Sequence, residues 1–134
     1  MDVRVEYFLL CENSLTDDSG KVSIINIYIN IIAPQVPFAH RELHYVALCT
    51  RNKGIDNEHV VSVNFSIVTP SGKEKLPRKQ NTMDVTFPAG KAELAVHLSI
   101  PGVVLEEFGE YTAAMRLNDK LSAKKVFKVI EGSV

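Results

Sequence analysis

At 134 residues, 46% of them apolar and 23% charged, the chain has the size and composition of one soluble domain that can bury a core without disulfide or metal. Its net charge of −1 excludes a general electrostatic attraction to nucleic acid, and the one short basic stretch, LPRKQ at residues 76–80, reads as a solvated turn. No run approaches the roughly 18 consecutive apolar residues of a membrane span. The opening MDVRVEYFLLCENS, with acids in and around a short apolar run, does not read as a secretory signal, so the expected setting is cytoplasmic with Cys11 and Cys49 reduced. Each cysteine falls in an apolar stretch, as a small buried hydrophobe does; whether the two lie near each other is geometry that sequence does not carry.

In chain order the signals are those of strands. Residues 3–11, VRVEYFLLC, place Val3, Val5, Tyr7, Leu9 and Cys11 on one face. Arg4 and Glu6 open the other face, and Phe8 and Leu10 continue it, so this strand starts half-exposed and ends covered on both sides. ENSLTDDSGK is a turn cluster. KVSIINIYINIIA, residues 21–33, then predicts one long second strand. Its period of two assigns Ser23, Ile25, Ile27, Ile29 and Ile31 to the core face, and Val22, Ile24, Asn26, Tyr28, Asn30 and Ile32 to the outside.

APQVPFAH, residues 33–40, carries two prolines and reads as a loop with Phe38 exposed. Residues 42–51 make a third strand. Residues 59–68 make a fourth, with Val61, Val63, Phe65 and Ile67 inward and Val60, Ser62, Asn64, Ser66 and Val68 outward. Residues 82–87 and 91–100 alternate in the same way, PGVVLEEFG crosses over, and residues 110–118 turn tightly through LNDK into a last strand at 122–131. No amphipathic helix is visible; VVLEEF at 103–108 is at most one short turn. About eight strands with regular turn signals predict a single all-β domain, residues 1–134, built as an antiparallel immunoglobulin-like β-sandwich, with a closed barrel as the runner-up. The LEEFGEY stretch sharpens this, because Tyr111 stands where a tyrosine corner would bond backbone at 105–107.

YFLLCENS followed by GKVSIINIYINIIAPQVP resembles the opening of a family of uncharacterised small bacterial proteins, which pair a YxLLCD-like strand with a GKxSxIGI-like strand and a proline-bearing loop. The later GxY crossover and short C-terminal hairpin extend the likeness over most of the chain. The resemblance implies a small bacterial or phage-borne cytosolic β-sandwich without catalytic residues. The departure is Asn26, which stands at the glycine of the GKxSxIGI-like pattern.

Candidate chemistry is thin. His40, Glu42 and His44 of HRELH alternate, so on a strand they share a face and could ligate a metal, joined by His59 or His97. Nothing fixes a fourth ligand, and the plain reading leaves His40 in the proline loop and Glu42 at a strand edge. Asp17, Asp18 and Asp56 supply too few oxygens for calcium and read as solvated turns. No nucleophile elbow or phosphate loop is present, and Cys49 lies on the opposite strand face from His44.

The Asn26–Tyr28–Asn30 row, flanked by Val22, Ile24 and Ile32, is too apolar for a wet face and has the composition of an interface. It would join the mixed outer face of residues 59–68 if the two strands were neighbours. The expectation is a non-enzymatic protein-interaction module, possible homo-oligomer included, with Asn26, Tyr28, Asn30 and Phe38 as its surface, and with no cofactor, nucleic acid or membrane partner. Two other readings stay open: a small-ligand or carbohydrate-binding sandwich using Phe38, and a metal-dependent enzyme using HRELH.

Overall fold

The computed structural model describes residues 3–19, 21–75 and 82–133, so LPRKQ lies outside the described residues, as do the side chains of Arg41, Glu42 and Pro101. Nine strands are found there: β1 (Arg4–Thr16), β2 (Val22–Ile27), β3 (Asn30–Ala33), β4 (Phe38–Thr50), β5 (His59–Val68), β6 (Thr82–Phe87), β7 (Glu93–Leu105), β8 (Gly109–Leu117) and β9 (Lys120–Glu131). One sheet has the order β2-β1-β4-β7 and the other β3-β9-β8-β5-β6. Every pairing is antiparallel except β3 with β9.

The sheets meet over an aromatic centre. Tyr45 of β4 stacks on Phe65 of β5 with ring centroids 4.8 Å apart, and Phe8 of β1 stacks on both at 5.7 and 6.1 Å. Leu10, Leu43, Val61, Val63, Ile67, Met115 and Phe127 close the same core. Each fully buried aliphatic or aromatic side chain contributes about 1.5–3 kcal/mol, so the alternating apolar residues of β5 and β8 fix which faces turn inward.

Three local devices shape the frame. Tyr111 is fully buried; its hydroxyl donates to the Glu107 carbonyl at 2.8 Å and accepts from the Glu107 N–H at 3.1 Å. That is the corner expected from LEEFGEY. Gly109 before it has φ +126°, and a Cβ there would lie 3.1 Å from Pro70 Cγ, so the corner takes glycine on both conformational and steric grounds. The LNDK turn holds Asn118 and Asp119 at φ +50° and +66°, the two left-handed residues of a type I′ hairpin. Pro101, within β7, is tolerated because β7 is a sheet edge.

Two expectations about strand faces are overturned. The register of β1 shifts between Val5 and Tyr7, so Val3 and Val5 join the core side, Tyr7 does not, and Phe8 and Leu10 take over inside. A bulge changes parity while leaving the apolar pattern unbroken. The long second strand is in fact two short ones in different sheets: β2 pairs with β1, and β3 pairs with β9. In β2 the half-buried residues are Val22 and Ile24, and Ile25 and Ile27 are exposed; in β3 the buried ones are Ile31 and Ala33. The covered parity switches because the two strands are covered by different things: β3 turns Ile31 and Ala33 to the core between the sheets, whereas Val22 of β2 borders Tyr7, Leu48 and Ala95 on the outer face of its own sheet. Strands β2 and β5 therefore lie in different sheets, and the combined polar-apolar patch expected of them does not form.

Candidate functional site

The crossing point between the sheets gathers several of the residues singled out in sequence. Asn26 has left-handed backbone, φ +52°, and its side-chain amide donates to Glu12 Oε2 at 2.8 Å. Left-handed geometry is cheapest for glycine and tolerable for asparagine. The Tyr28 N–H donates to the Leu10 carbonyl at 2.8 Å, which tethers the chain to β1 as it leaves β2. The Tyr28 ring turns in and packs partly against the core, and its hydroxyl lies 3.1 Å from His40 Nε2. The two rings meet edge to face at 5.2 Å, and Phe38 stands 6.4 Å from the same imidazole. Burial, with Glu12 and Cys11 nearby, pushes the Tyr28 hydroxyl above its ordinary pKa.

The Asn26–Tyr28–Asn30 row therefore does not form as a flat outward face. Asn26 serves β1, Tyr28 is half-buried beside His40 and Phe38, and Asn30 is exposed at the start of β3, paired with Lys128. Phe38 begins β4, packs partly on the core and is not displayed on a loop. His40 also belongs to β4, paired with Val103, where the proline loop was expected to hold it.

The HRELH residues do not assemble into a described metal centre. His44 is buried opposite Cys11 on β1 and Ser99 on β7, and the side chain of Glu42 is outside the described residues. His59 sits in the other sheet, across from Phe87, and His97 lies against the hydroxyls of Ser14 and Thr16 at 3.1 and 3.3 Å. Among the described residues, no group of three or more His, Cys, Asp or Glu is placed to hold an ion. The Asp17 carboxylate is turned into its own loop, accepting from the N–H groups of Ser19 and Lys21, each at 2.9 Å.

Cys49, read from the sequence as lying on the opposite strand face from His44, turns into the core, and the thiol the sequence did not bring to His44 is Cys11, its direct cross-strand neighbour. Both thiols are free and buried. Burial pushes Cys11 upward and Cys49 up to about 11, so each is held as the neutral thiol, the unreactive form.

What β2 presents to solvent is its isoleucine face. Ile25 and Ile27 are 39% and 49% exposed, Leu15 of β1, opposite Ser23, is 57% exposed, and Ile29, in the crossover just past the end of β2, is 73% exposed. The other side of this hairpin folds over the outer face of its own sheet. Ser14 and Thr16 reach His97 there, and Val22 borders Tyr7, Leu48 and Ala95. This covering explains why Val46 and Cys11 are fully buried without belonging to the central core. Each strand of the hairpin alternates, but only the tertiary fold decides which alternate row is covered.

Arg51, which no local pattern singles out, is among the largest fully buried side chains. Its Nε donates to the Lys91 carbonyl at 2.7 Å, Nη1 to Asn57 at 2.6 Å and Nη2 to Pro88 at 2.9 Å. The guanidinium stands 5.0 Å from the Phe87 ring centroid. One cation thus fastens two loops to the end of β4.

Among known structures, the chain is similar to part of an alkylpurine DNA glycosylase from Pseudomonas fluorescens, bound to DNA containing an abasic site analogue. The TM-score is 0.58 at 9% identity, over 95% of this chain and 30% of that one. This shows a shared fold alone, and the chain spans under a third of the glycosylase's length. Weaker likenesses are to a β-glucosidase from Kluyveromyces marxianus, TM-score 0.49 at 15% identity over 93% of this chain and 14% of that one. Another is to an immunoglobulin-like protein from Pseudomonas aeruginosa, TM-score 0.39 at 14% identity over 97% and 98% of the two chains. No curated protein matches the sequence. Among the described residues, no helix is long and apolar enough to cross a membrane. A family model, described as a family of unknown function, DUF6941, matches residues 6–130, and the chain belongs to that family.

Proposed function

From membership of a family of unknown function no activity carries over, and we propose that this chain is a non-enzymatic protein-interaction module. In this reading it is an immunoglobulin-like β-sandwich that self-associates through the solvent face of the β1–β2 hairpin. The observation that carries it is the exposed group Leu15, Ile25 and Ile27, continued by Ile29 in the crossover, on a sheet edge that has neither charge nor proline between Val22 and Ile27. Edge strands are ordinarily guarded by charge, proline or shortness. The other edges have such guards: β6 carries Asp84, β7 carries Pro101, and β3 is four residues long.

The occupant this edge fits is a second copy of the chain. Across a two-fold axis each residue near the axis meets its own copy, so an uncharged strip avoids like-charge contact. Lys21 precedes β2 and Glu12 neighbours its other end through Asn26, so antiparallel β2–β2 pairing brings opposite charges together at both ends. A cytoplasmic, bacterial setting belongs to the same reading and suits two free, neutral thiols. The DNA of the glycosylase structure is not carried over, because a fold-level likeness does not specify a ligand.

The test is sedimentation equilibrium over a concentration series. The wild type is expected to associate, and the Ile25→Lys, Ile27→Lys double variant to remain monomeric with its unfolding transition intact. Val60→Lys, at an exposed position in the other sheet, serves as the control and should associate as the wild type does. A wild type that stays monomeric at the highest concentrations, or a double variant that associates equally well, overturns self-association through this face.

A further inference from the structure

We propose that the groove between the β1–β2 hairpin and the 88–93 turn binds a small amphipathic anion, with its apolar body on the floor and its anionic head at the Arg4–Lys53 end. This site is separate from the self-association face and does not depend on it.

The floor is a row across three strands. Tyr7, Leu48 and Ala95 stand side by side in register on β1, β4 and β7, on the face away from the core. Farther along that face, Cys11, His44 and Val46 are buried, but Tyr7, Leu48 and Ala95 stay partly open. The hairpin stops short of them, and Val22 forms one wall. Two cavities, of about 630 and 470 Å³, share Leu48, Ala92 and Glu93 and so make one continuous groove. Either volume falls in the range of small-ligand sites, roughly 300–1,000 Å³.

The opposite wall is built rigidly. The Arg51 hydrogen bonds to Lys91, Asn57 and Pro88 hold the 88–93 turn in place. Fixed walls reduce the ordering cost of binding.

The charge of the groove is the argument for an anion. The chain as a whole is slightly acidic, yet the groove borders carry three exposed cations, Arg4, Lys53 and Lys91, against two carboxylates, Glu6 and Glu93; the Arg51 guanidinium behind them is buried and held by carbonyls. Glu6 accepts from Thr50 Oγ1 at 2.9 Å and lies 4.0 Å from Arg4 Nε, and Arg4 Nη1 donates to Asn52 Oδ1 at 3.3 Å, so this pair largely offsets itself and Lys53 is the cation at that end without a carboxylate beside it among these contacts. Arg4 and Lys53 are exposed where the groove meets solvent, so an anionic head there would gain charge-assisted hydrogen bonds without being fully dehydrated. The apolar row beside them asks for a tail of hydrocarbon or aromatic character. A carboxylate and a sulfonate share that chemistry.

Decanoate provides the probe, titrated into isotope-labelled full-length protein and followed by heteronuclear NMR. The expected result is saturable shifts at Tyr7, Leu48, Ala92 and Ala95. Acetate, which has the head alone, and decyltrimethylammonium, which has the tail with the opposite charge, should leave those signals in place at equal concentration. Lys53→Glu is expected to weaken decanoate binding about tenfold, the loss of one charge-assisted contact. Leu48→Lys should remove the tail's site, and a parallel melt shows whether that variant is folded; if it is not, Ala95→Glu replaces it. The proposal is overturned if decanoate shifts map to Ile25, Ile27 and Ile29, if the cationic amphiphile binds as well, or if Lys53→Glu changes nothing. A monomeric wild type would refute self-association and leave this groove unaffected.

Discussion

Replacing Tyr111 with phenylalanine isolates the corner that joins β7 to β8. The ring remains and keeps its stack on Phe127, 5.3 Å away and inclined by 17°. What is lost is one hydroxyl with two partners, the carbonyl and the N–H of Glu107. An ordinary hydrogen bond is worth about 0.5–1.5 kcal/mol net, and an orphaned buried group costs more. Glu107 is only half-buried, so water can recover part of both bonds, and the expected loss is about 1–2 kcal/mol. For a domain of this length the melting temperature should fall by roughly 3–10 °C. Urea titration should show a lower midpoint at unchanged slope, because the buried area does not change, and the Glu107 amide should lose protection in hydrogen exchange. A destabilisation below about 0.3 kcal/mol, with Glu107 still protected, would show that the corner is held by packing and not by the hydroxyl.

Three further outcomes follow from the same geometry. Ile27→Ala should cost less than about 1 kcal/mol and Ile31→Ala about 2–4 kcal/mol, measured by chemical denaturation, since large-to-small changes are expensive only where a cavity results; equal costs would refute the parity switch between β2 and β3. Arg51→Met should destabilise by about 3–5 kcal/mol, because three carbonyls lose a charged donor, and should broaden NMR signals of the 88–93 turn; a neutral outcome would show that water replaces the guanidinium. Cys49 is raised from 9.0 to about 11, so the unfolded thiol ionises first: its contribution is complete below pH 9 and is lost as pH rises toward 11. Wild type minus Cys49→Ala stability should therefore fall across that window, and a flat difference would mean the folded thiol titrates normally.

How much was legible in the sequence depended on whether local pattern and tertiary placement agreed. Val61, Val63, Phe65 and Ile67 alternate within a central strand and are buried as read. LNDK and LEEFGEY are short-range devices whose partners lie within a few residues, and both were readable. The bulge after Val5 was not, because Tyr7 and Phe8 are both apolar and either parity gives an acceptable strand. The break near Tyr28 was hidden for a similar reason: alternate residues on both sides of it are isoleucines, so the run looked continuous while its inside and outside exchanged. The one local sign was Asn26, which departs from the glycine of the resembling pattern and indeed takes a left-handed backbone. Arg51 could not be found, since a single arginine at a strand end usually points to water and only the meeting of two distant loops buries it.

The misread isoleucines also carry the functional argument. Had Ile25 and Ile27 been core, a polar substitution there would unfold the chain, and any loss of association would be uninterpretable. They are exposed because the β1–β2 hairpin lies on the outer face of its own sheet with its other side down, and only after the crossing does β3 turn Ile31 into the core. The crossing leaves an apolar row outside that the fold itself does not use. Removing it should therefore separate folding from the proposed association: the thermal transition of the Ile25→Lys, Ile27→Lys variant should stay within about 0.5 kcal/mol of wild type, the range of ordinary surface changes, while the self-association expected of the wild type is lost. If folding and association fail together, the hairpin needs these side chains to lie down on its own sheet, and the face belongs to the monomer.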